Sequence, residues 1–307
     1  MGRLILVPQY PTVMRYQEWW FHMFPAQLQS GFSEILVLGK RRNIPVVRES
    51  CSSFSPMEQA ILFELSQIDE YVNLELQTDD TLLLNDLSYP GLFSQVLIHK
   101  RPKKCFAICH ATSKNRFDYF QKVRHVKYPI EKATAKLFDA IFVGSQYHKE
   151  KLGWTNCVVS YLPFPPFPRS INQEKKYSVV TVSRKGIQKR NFHLEKEIGF
   201  PVHSETPSTW EQYFLFLSQA YVLLITSKEE TFGYQVVDAI LNNCIPIAPN
   251  TCCYAEFLPK EYLFDTAKEA QRKITDAMLG NLPVPRLLVE KGCHVFYETI
   301  LKKIKSA

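Results

Sequence analysis

Two acidic residues and a glycine lie close together in one segment, Ser227–Asn250, with the sequence SKEETFGYQVVDAILNNCIPIAPN. Glu230 and Asp238 are separated by seven residues, and the pair Phe232-Gly233 lies between them. Carboxylates can accept hydrogen bonds from sugar hydroxyls, a glycine lets backbone approach a ligand, and the N–H groups at a helix start suit a phosphate. This spacing predicts a site for a phosphate-bearing sugar. The alternative is a pair of solvated acids at a helix start.

The stretch ETFGYQVVDA, followed by Pro246 before the next predicted strand, resembles the retaining glycosyltransferases of family 4 and their two-domain relatives. Their signature is an acidic residue, Phe-Gly, and a second acidic residue after seven intervening positions. The resemblance implies that Glu230 contacts the transferred sugar as a catalytic residue and that Asp238 holds the ribose hydroxyls. Backbone near Phe232 and Gly233 would approach the sugar and the phosphate. The family usually has Glu at the second acidic position, where Asp is one methylene shorter.

A second element of the same resemblance is VVTVSRKGIQKRN, residues 179–191. In the family, one cation that follows a strand and another several residues later hold the diphosphate. Arg184 takes the first place here, and Lys189 or Arg190 takes the second. Fixed cations there would stabilise the negative charge that develops on the leaving group. The resemblance therefore implies a UDP- or GDP-sugar as donor and no obligatory metal.

Candidate residues for the acceptor lie in the first half of the chain. His110 follows the apolar run Cys105–Cys109, and Asp86 follows the run Leu82–Asn85. Since the carboxyl ends of parallel strands share one edge of a sheet, both are candidates for catalysis, with His110 as a hydroxyl ligand or proton shuttle and Asp86 as a base. Arg15 is a candidate for an acceptor surface. A structural histidine and a structural carboxylate are the alternatives.

The formal net charge of +7 is concentrated in one stretch. Residues 98–151 contain 13 Lys and Arg against 4 Asp and Glu, while the remainder contains 24 against 26. A concentrated positive surface favours a polyanionic partner, either nucleic acid or an acidic membrane surface. A solvated basic face without a partner is the alternative. The cations of this stretch that lie among aromatic residues include Lys114, Arg116, Lys122 and Arg124.

Interleaved cations and aromatic rings suit a nucleic acid acceptor, because cations follow phosphates and rings stack on unstacked bases. The chain is also loosely similar to phage-encoded transferases that glycosylate hydroxymethylated pyrimidines in DNA. That similarity predicts DNA as the partner and, for a phage protein, the host cytoplasm as the location. A saccharide or lipid-linked acceptor at a membrane surface is the second hypothesis, and an inactive nucleotide-sugar-binding protein is the third.

The elements that must position these residues follow an α/β pattern, since short apolar runs alternate with helical patterns. We expect two Rossmann-like domains facing across a cleft, with residues 1–165 for the acceptor, residues 166–285 for the nucleotide sugar, and a C-terminal helix at 286–307 that packs back on the first domain. The proline-rich Tyr161–Ser170 would link the two domains. The predicted helices are Tyr16–Ser30, in which Pro25 is a potential kink, Pro56–Ile68, Phe232–Asn242 and Pro285–Lys305. The predicted strands are Arg3–Pro8, Glu34–Leu38, Leu82–Asn85, Cys105–Cys109, Ala140–Gly144, Val158–Leu162, Ser178–Ser183, Tyr221–Thr226 and Ile245–Ala248.

Composition also indicates the compartment. No apolar run approaches the ~20 residues of a membrane span, and the N-terminal run is too short for a signal peptide. Eight cysteines without a secretory signal predict reduced thiols in the cytoplasm. Their spacing does not match a paired zinc knuckle, so we predict no metal site.

Overall fold

The structure is a computed structural model that describes residues 1–13, 15–40, 57–163, 173–182, 189–285 and 289–307. Over these ranges the chain divides into two compact units. The first unit comprises residues 1–165 and 294–307, and the second comprises residues 166–293.

The described strands of the first unit are β1 (Arg3–Val7), β2 (Glu34–Val37), β3 (Thr81–Leu84), β4 (Lys104–Cys109), β5 (Ala140–Val143) and β6 (Cys157–Val159). These six strands form one parallel sheet in the order β2-β1-β3-β4-β5-β6. Strands β3 and β5 are buried at every position, as expected for a parallel sheet covered on both faces. The strand order reverses between β1 and β3, and ligands of open α/β sheets bind at the carboxyl ends near such a point.

The described helices around this sheet are α1 (Tyr16–Leu28), α2 (Met57–Val72), α3 (Phe93–Val96), α4 (Arg124–Ala135) and α5 (Gln146–Leu152). Pro25 does not divide α1, which continues to Leu28 and buries Phe24 and Leu28 on either side of the proline. Packing of these apolar side chains therefore outweighs the cost of an internal proline. Helix α5 begins after Ser145, whose hydroxyl accepts the His148 N–H at 3.1 Å.

The described strands of the second unit are β7 (Tyr177–Val180), β8 (Val202–His203), β9 (Ala220–Leu224), β10 (Ile245–Pro249) and β11 (Leu263–Phe264). They form a five-stranded parallel sheet in the order β11-β10-β9-β7-β8. Its described helices are α6 (Phe192–Glu197), α7 (Trp210–Ser218), α8 (Tyr234–Leu241), α9 (Tyr254–Phe257) and α10 (Ala267–Met278).

The last helix, α11 (Val289–Ser306), brings the end of the chain to the first unit. Phe296 is fully buried, with ring centroids 6.0 Å from Trp20 and 5.7 Å from Phe24 of α1. The Lys104 ammonium donates to the Ile304 carbonyl at 3.1 Å. This helix therefore contributes apolar core to a sheet whose strands lie far earlier in the sequence.

The two parallel sheets confirm the predicted α/β class. Strands β8 and β11 were not predicted, because runs of two residues carry no periodicity. Pro246, which the family pattern has before the next strand, is the second residue of β10, as it is in the predicted strand Ile245–Ala248. Residues 164–170 of the predicted linker lie outside the described residues. Across the described residues, no helix is both long and apolar enough to span a bilayer.

Candidate functional site

The loop between β9 and α8 carries the acidic–Phe-Gly–acidic motif in the second unit. Gly233 immediately precedes α8 and has a φ of 74°. A Cβ atom at this position would lie 2.9 Å from a ring carbon of Tyr254, so any side chain would require that ring to move. The glycine thus permits close packing at the start of α8, where N–H groups without helical partners and the helix dipole favour an anion.

Glu230 lies in the same loop and forms an ion pair with Lys189 through Oε1 and Nζ. The side chains are 18% and 21% exposed, so the pair retains contact with solvent. Two hydrogen bonds hold the Lys189 segment beside the end of β9. The Asn191 N–H donates to Thr226 Oγ1 at 2.9 Å, and the Ser227 hydroxyl donates to the Lys189 carbonyl at 3.3 Å. The fold therefore brings together a carboxylate and a cation that are 41 residues apart.

Arg190, the neighbour of Lys189, has a different environment. Its guanidinium forms two contacts with the Glu195 carboxylate, one of them a 2.9 Å hydrogen bond from Nε to Oε1, and it stacks 4.7 Å from the Phe192 ring. Both charged side chains are 7% exposed. Arg190 therefore stabilises the short helix α6 through its ion pair with Glu195. Arg184, the other predicted diphosphate ligand, lies outside the described residues.

Asp238 lies on α8, one turn beyond its start. Its Oδ2 accepts a hydrogen bond from the Tyr213 hydroxyl of α7 at 2.8 Å. The residue keeps some exposed surface, yet burial of the carboxyl raises the pKa of Asp238 to about 7, and the Tyr213 hydrogen bond opposes that rise. The carboxyl therefore changes its charge near neutral pH, in contrast to an exposed aspartate.

Phe232 contributes its side chain to the core rather than to a ligand surface. The residue is 4% exposed, and its ring makes edge contacts with Tyr234 and Phe257 at centroid distances of 5.0 and 5.1 Å. Only its backbone can approach a ligand without unpacking the unit. The approach of the backbone near Phe232 and Gly233 to the sugar and phosphate stays a prediction.

In the first unit, His110 follows β4 and is 8% exposed. Its Nε2 lies 3.1 Å from the Asn85 carbonyl oxygen, and its ring packs 4.8 Å from Tyr16 and 4.7 Å from Trp20. Burial lowers the pKa of His110 to about 3, so the imidazole is neutral at physiological pH. A neutral imidazole can orient a hydroxyl, but it supplies no positive charge.

Asp86 follows β3 and is 5% exposed. One carboxylate oxygen accepts from the Gln9 amide at 2.5 Å, and the other accepts from the Ser88 N–H at 3.0 Å. Desolvation raises the pKa of Asp86 well above its ordinary value. Asp86 and His110 thus lie at the ends of the paired strands β3 and β4, but each makes hydrogen bonds within the unit.

The predicted acceptor-binding cations differ in how far they reach solvent. Arg15 is half-buried directly before α1. Lys114 is exposed, although its Nζ donates to the Lys151 carbonyl at 2.5 Å. Arg116 is exposed, with its guanidinium 5.3 Å from the Phe117 ring. Lys122, just before α4, and Arg124, its first residue, are both exposed.

Comparison with solved structures identifies the architecture. Sucrose-phosphate synthase from Thermosynechococcus elongatus aligns with a TM-score of 0.66 at 11% identity, over 100% of this chain and 94% of that one. HepE from Anabaena, solved with UDP and glucose, gives a TM-score of 0.62 at 12% identity, over 99% of this chain and 96% of that one. The chain has the GT-B glycosyltransferase fold.

Other similarities to GT-B proteins and sugar transferases are partial. A mutant of TarM from S. aureus, solved with UDP, gives a TM-score of 0.54 at 14% identity and covers 79% of this chain, which spans only 58% of TarM. A tRNA-queuosine alpha-mannosyltransferase of Drosophila melanogaster is 29% identical over 82 residues, which are 27% of this chain and 22% of that protein. No family model matches the sequence. At these identities the comparisons show the fold, and a fold does not determine an activity.

Sequence reasoning missed several partners of the predicted residues in this GT-B chain. Tyr213 on Asp238 and Gln9 on Asp86 come from other segments, whereas Glu195 lies five residues after Arg190. The sequence feature that could have indicated a polar contact for Tyr213 is its occurrence in the apolar helix WEQYFLFLS. No group of three or more His, Cys, Asp or Glu side chains suited to a metal ion occurs among the residues that the structure describes.

Proposed function

We propose that the chain is a retaining glycosyltransferase that uses a nucleotide-diphosphate sugar. The observation that carries this proposal is the Lys189–Glu230 pair next to the start of α8, because it combines a cation, a carboxylate and helical N–H groups on one loop system. Such a set matches a donor with an anionic diphosphate on one side and a hydroxylated sugar on the other.

In this proposal, each of these groups binds a different part of the donor. The N–H groups at the start of α8 and the Lys189 ammonium bind the diphosphate and stabilise it as it leaves with extra charge. Glu230 accepts hydrogen bonds from the sugar hydroxyls once the ion pair opens. Asp238 accepts a ribose hydroxyl, and Arg184 supplies a second cation. Retention of configuration follows from the family 4 resemblance of these same residues.

Two observations favour a UDP-sugar as the first donor to test. HepE was solved with UDP and glucose, and the TarM mutant was solved with UDP. We propose that side-chain cations and the helix dipole neutralise the diphosphate without an obligatory metal. GDP-sugars provide the alternative donor set.

The acceptor side of the proposal rests on the first unit. Neutral His110 would orient the acceptor hydroxyl, while Asp86, with its raised pKa, would act as a base only after losing its proton. Our sequence prediction is a hydroxymethylated pyrimidine in DNA, bound by Arg15, Lys114, Arg116, Lys122 and Arg124. The fly protein, named for a modified nucleoside of tRNA, adds tRNA as a nucleic acid to test.

The decisive experiment measures turnover of radiolabelled UDP- and GDP-sugars with purified full-length chain. We expect hydrolysis or transfer that Glu230→Ala abolishes and that Glu261→Ala leaves unchanged, because Glu261 is an exposed acid of the same unit that lies outside the motif. A donor-induced rise in Tm without turnover would instead identify a nucleotide-sugar-binding protein. Unchanged turnover in Glu230→Ala would refute the site.

A further inference from the structure

Glu131 is a buried acid of helix α4 to which the proposed mechanism gives no role. The residue is only 2% exposed. Glutamate is almost never buried to this degree unless partners compensate its charge. Because a buried carboxylate without hydrogen bonds is strongly destabilising, the surrounding residues must supply donors to it.

Two loops of the first unit supply those donors. In the loop after β3, the Ser88 hydroxyl donates to Glu131 Oε1 at 2.5 Å. In the loop after β4, the Ser113 N–H lies 3.2 and 3.1 Å from the two carboxylate oxygens, and the Ser113 hydroxyl donates to Oε2 at 2.6 Å. Both serines are buried. The carboxylate therefore keeps all of these hydrogen bonds only while both loops keep their positions.

The same two loops carry the acceptor-side candidates of the proposed function. Asp86 lies two residues before Ser88 and accepts the Ser88 N–H at 3.0 Å. His110 lies three residues before Ser113, and its Nε2 lies 3.1 Å from the Asn85 carbonyl oxygen. A displacement of either serine would therefore reach Asp86 or His110 through a short segment of chain.

Helix α4 gives the Glu131 carboxylate a fixed origin. The Tyr128 hydroxyl of this helix donates to the Leu152 carbonyl at 3.1 Å. The Lys127 ammonium, one turn before Glu131, donates to the Pro90 carbonyl at 2.8 Å and so also contacts the loop after β3. A side chain that starts from an attached helix can hold a loop more precisely than one that starts from another loop.

We infer that Glu131 is a positioning residue of the proposed reaction, which holds the loops after β3 and β4 in one arrangement and thereby sets the positions of Asp86 and His110. The inference rests on the proposed function for what these two side chains do toward the acceptor. Glu131 acts through Ser88 and Ser113. Its charge matters because hydrogen bonds to a carboxylate are about twice as strong as those between neutral groups.

The test compares Glu131→Gln with the unaltered full chain in hydrolysis of radiolabelled UDP-glucose, in which water takes the place of the acceptor hydroxyl. The amide removes the charge and turns an NH2 group toward a donor of Ser88 or Ser113. A displacement of about 1 Å in a reacting group lowers a rate about a hundredfold, so we expect kcat to fall by about that factor. KM for UDP-glucose should stay within about twofold, since Lys189 and Glu230 belong to the second unit.

A second measurement reports the position of His110 without any turnover. The His110 ring centroid lies 4.8 Å from that of Tyr16 and 4.7 Å from that of Trp20, so ring currents make the NMR shift of the imidazole sensitive to small displacements. With labelled histidine, and with His110→Gln to assign the signal, we expect Glu131→Gln to move this signal at pH 7. Ser113→Ala removes one hydroxyl but keeps the backbone N–H, so it should move the signal less and lower kcat about tenfold.

A matched control lies at the opposite edge of the same sheet. Asp80, directly before β3, is fully buried and accepts hydrogen bonds from the Arg3 guanidinium at 2.9 and 2.8 Å. Asp80→Asn also weakens a buried carboxylate of the first unit, but the whole of β3 separates it from the loop that contains Ser88. Its kcat and its His110 signal should equal those of the unaltered chain.

An unmoved His110 signal or an unchanged kcat in folded Glu131→Gln would overturn the inference, and so would equal changes in Asp80→Asn. Circular dichroism shows whether each variant is folded, and if Glu131→Gln is not, Ser113→Ala decides both measurements. Absence of turnover by the unaltered chain with UDP- and GDP-sugars would instead contradict the proposed function. The His110 signal would then decide by itself whether Glu131 sets the position of that ring.

Discussion

The hydrogen bond from Tyr213 to Asp238 offers a sharp test of the donor site. Tyr213→Phe removes only the hydroxyl that donates to Asp238 Oδ2 at 2.8 Å. That hydrogen bond opposes the rise that burial causes in the pKa of Asp238, which stands at about 7. We expect the pKa to increase when the hydroxyl is removed, because the charged form of the carboxyl loses a donor.

The size of the effect follows from the strength of the bond. A hydrogen bond to a charged group contributes about 1.5 kcal/mol, which corresponds to about one pKa unit. At pH 7 the ionised fraction of Asp238 would fall from about one half to about one tenth. If the carboxylate binds the ribose, the Kd for the donor should increase about fivefold at pH 7, while at pH 9 the two proteins should bind almost equally.

The assay is calorimetric titration with UDP-sugar at pH 6, 7, 8 and 9. Tyr177→Phe is the matched control, since it removes a hydroxyl that donates to Glu205 at 3.2 Å at an exposed site of the same unit. An equal loss of affinity at every pH would show that Tyr213 acts through packing alone. A Kd of the unaltered chain that is constant from pH 6 to 8 would refute the role of Asp238.

Three further predictions concern stability. The pKa of Asp238 in the folded state lies above its unfolded value, so the free energy of unfolding falls as pH rises from about 4 to 7. Asp238→Asn removes this loss. Measured by urea titration between pH 5 and 8, the variant should be about 1–3 kcal/mol more stable than the unaltered chain. Gly233→Ala should cost about 1–2 kcal/mol because of its φ of 74°, and an unchanged urea midpoint would contradict this. Glu195→Ala leaves buried Arg190 without its partner and should cost about 3–5 kcal/mol, whereas Glu197→Ala in an exposed pair of the same helix should leave Tm unchanged.

The sequence predicted the sheets well because buried parallel strands are continuous apolar runs bounded by polar residues. Strands β1, β4 and β10 each lie within one residue of their predicted bounds. The short strands β8 and β11 depend on pairing with longer neighbouring strands, and no local sequence pattern predicts that pairing.

The site was predictable only in part. The spacing of Glu230, Gly233 and Asp238 placed them on one loop and helix, since all three belong to a single segment. Contacts between segments could not be predicted from spacing. Lys189 and Arg190 are adjacent in the sequence, yet Lys189 pairs with Glu230, 41 residues away, while Arg190 pairs with Glu195, five residues away.

The position of the last helix has a consequence for synthesis of the protein. Residues 294–307 complete the core of a unit whose other residues end at 165, and the whole second unit is translated between them. A ribosome that adds about 5–20 residues per second therefore holds the first unit without Phe296 for several seconds or more. Until that residue arrives, the surfaces of Trp20 and Phe24 that Phe296 covers stay exposed, and exposed apolar surface of this kind is what chaperones bind.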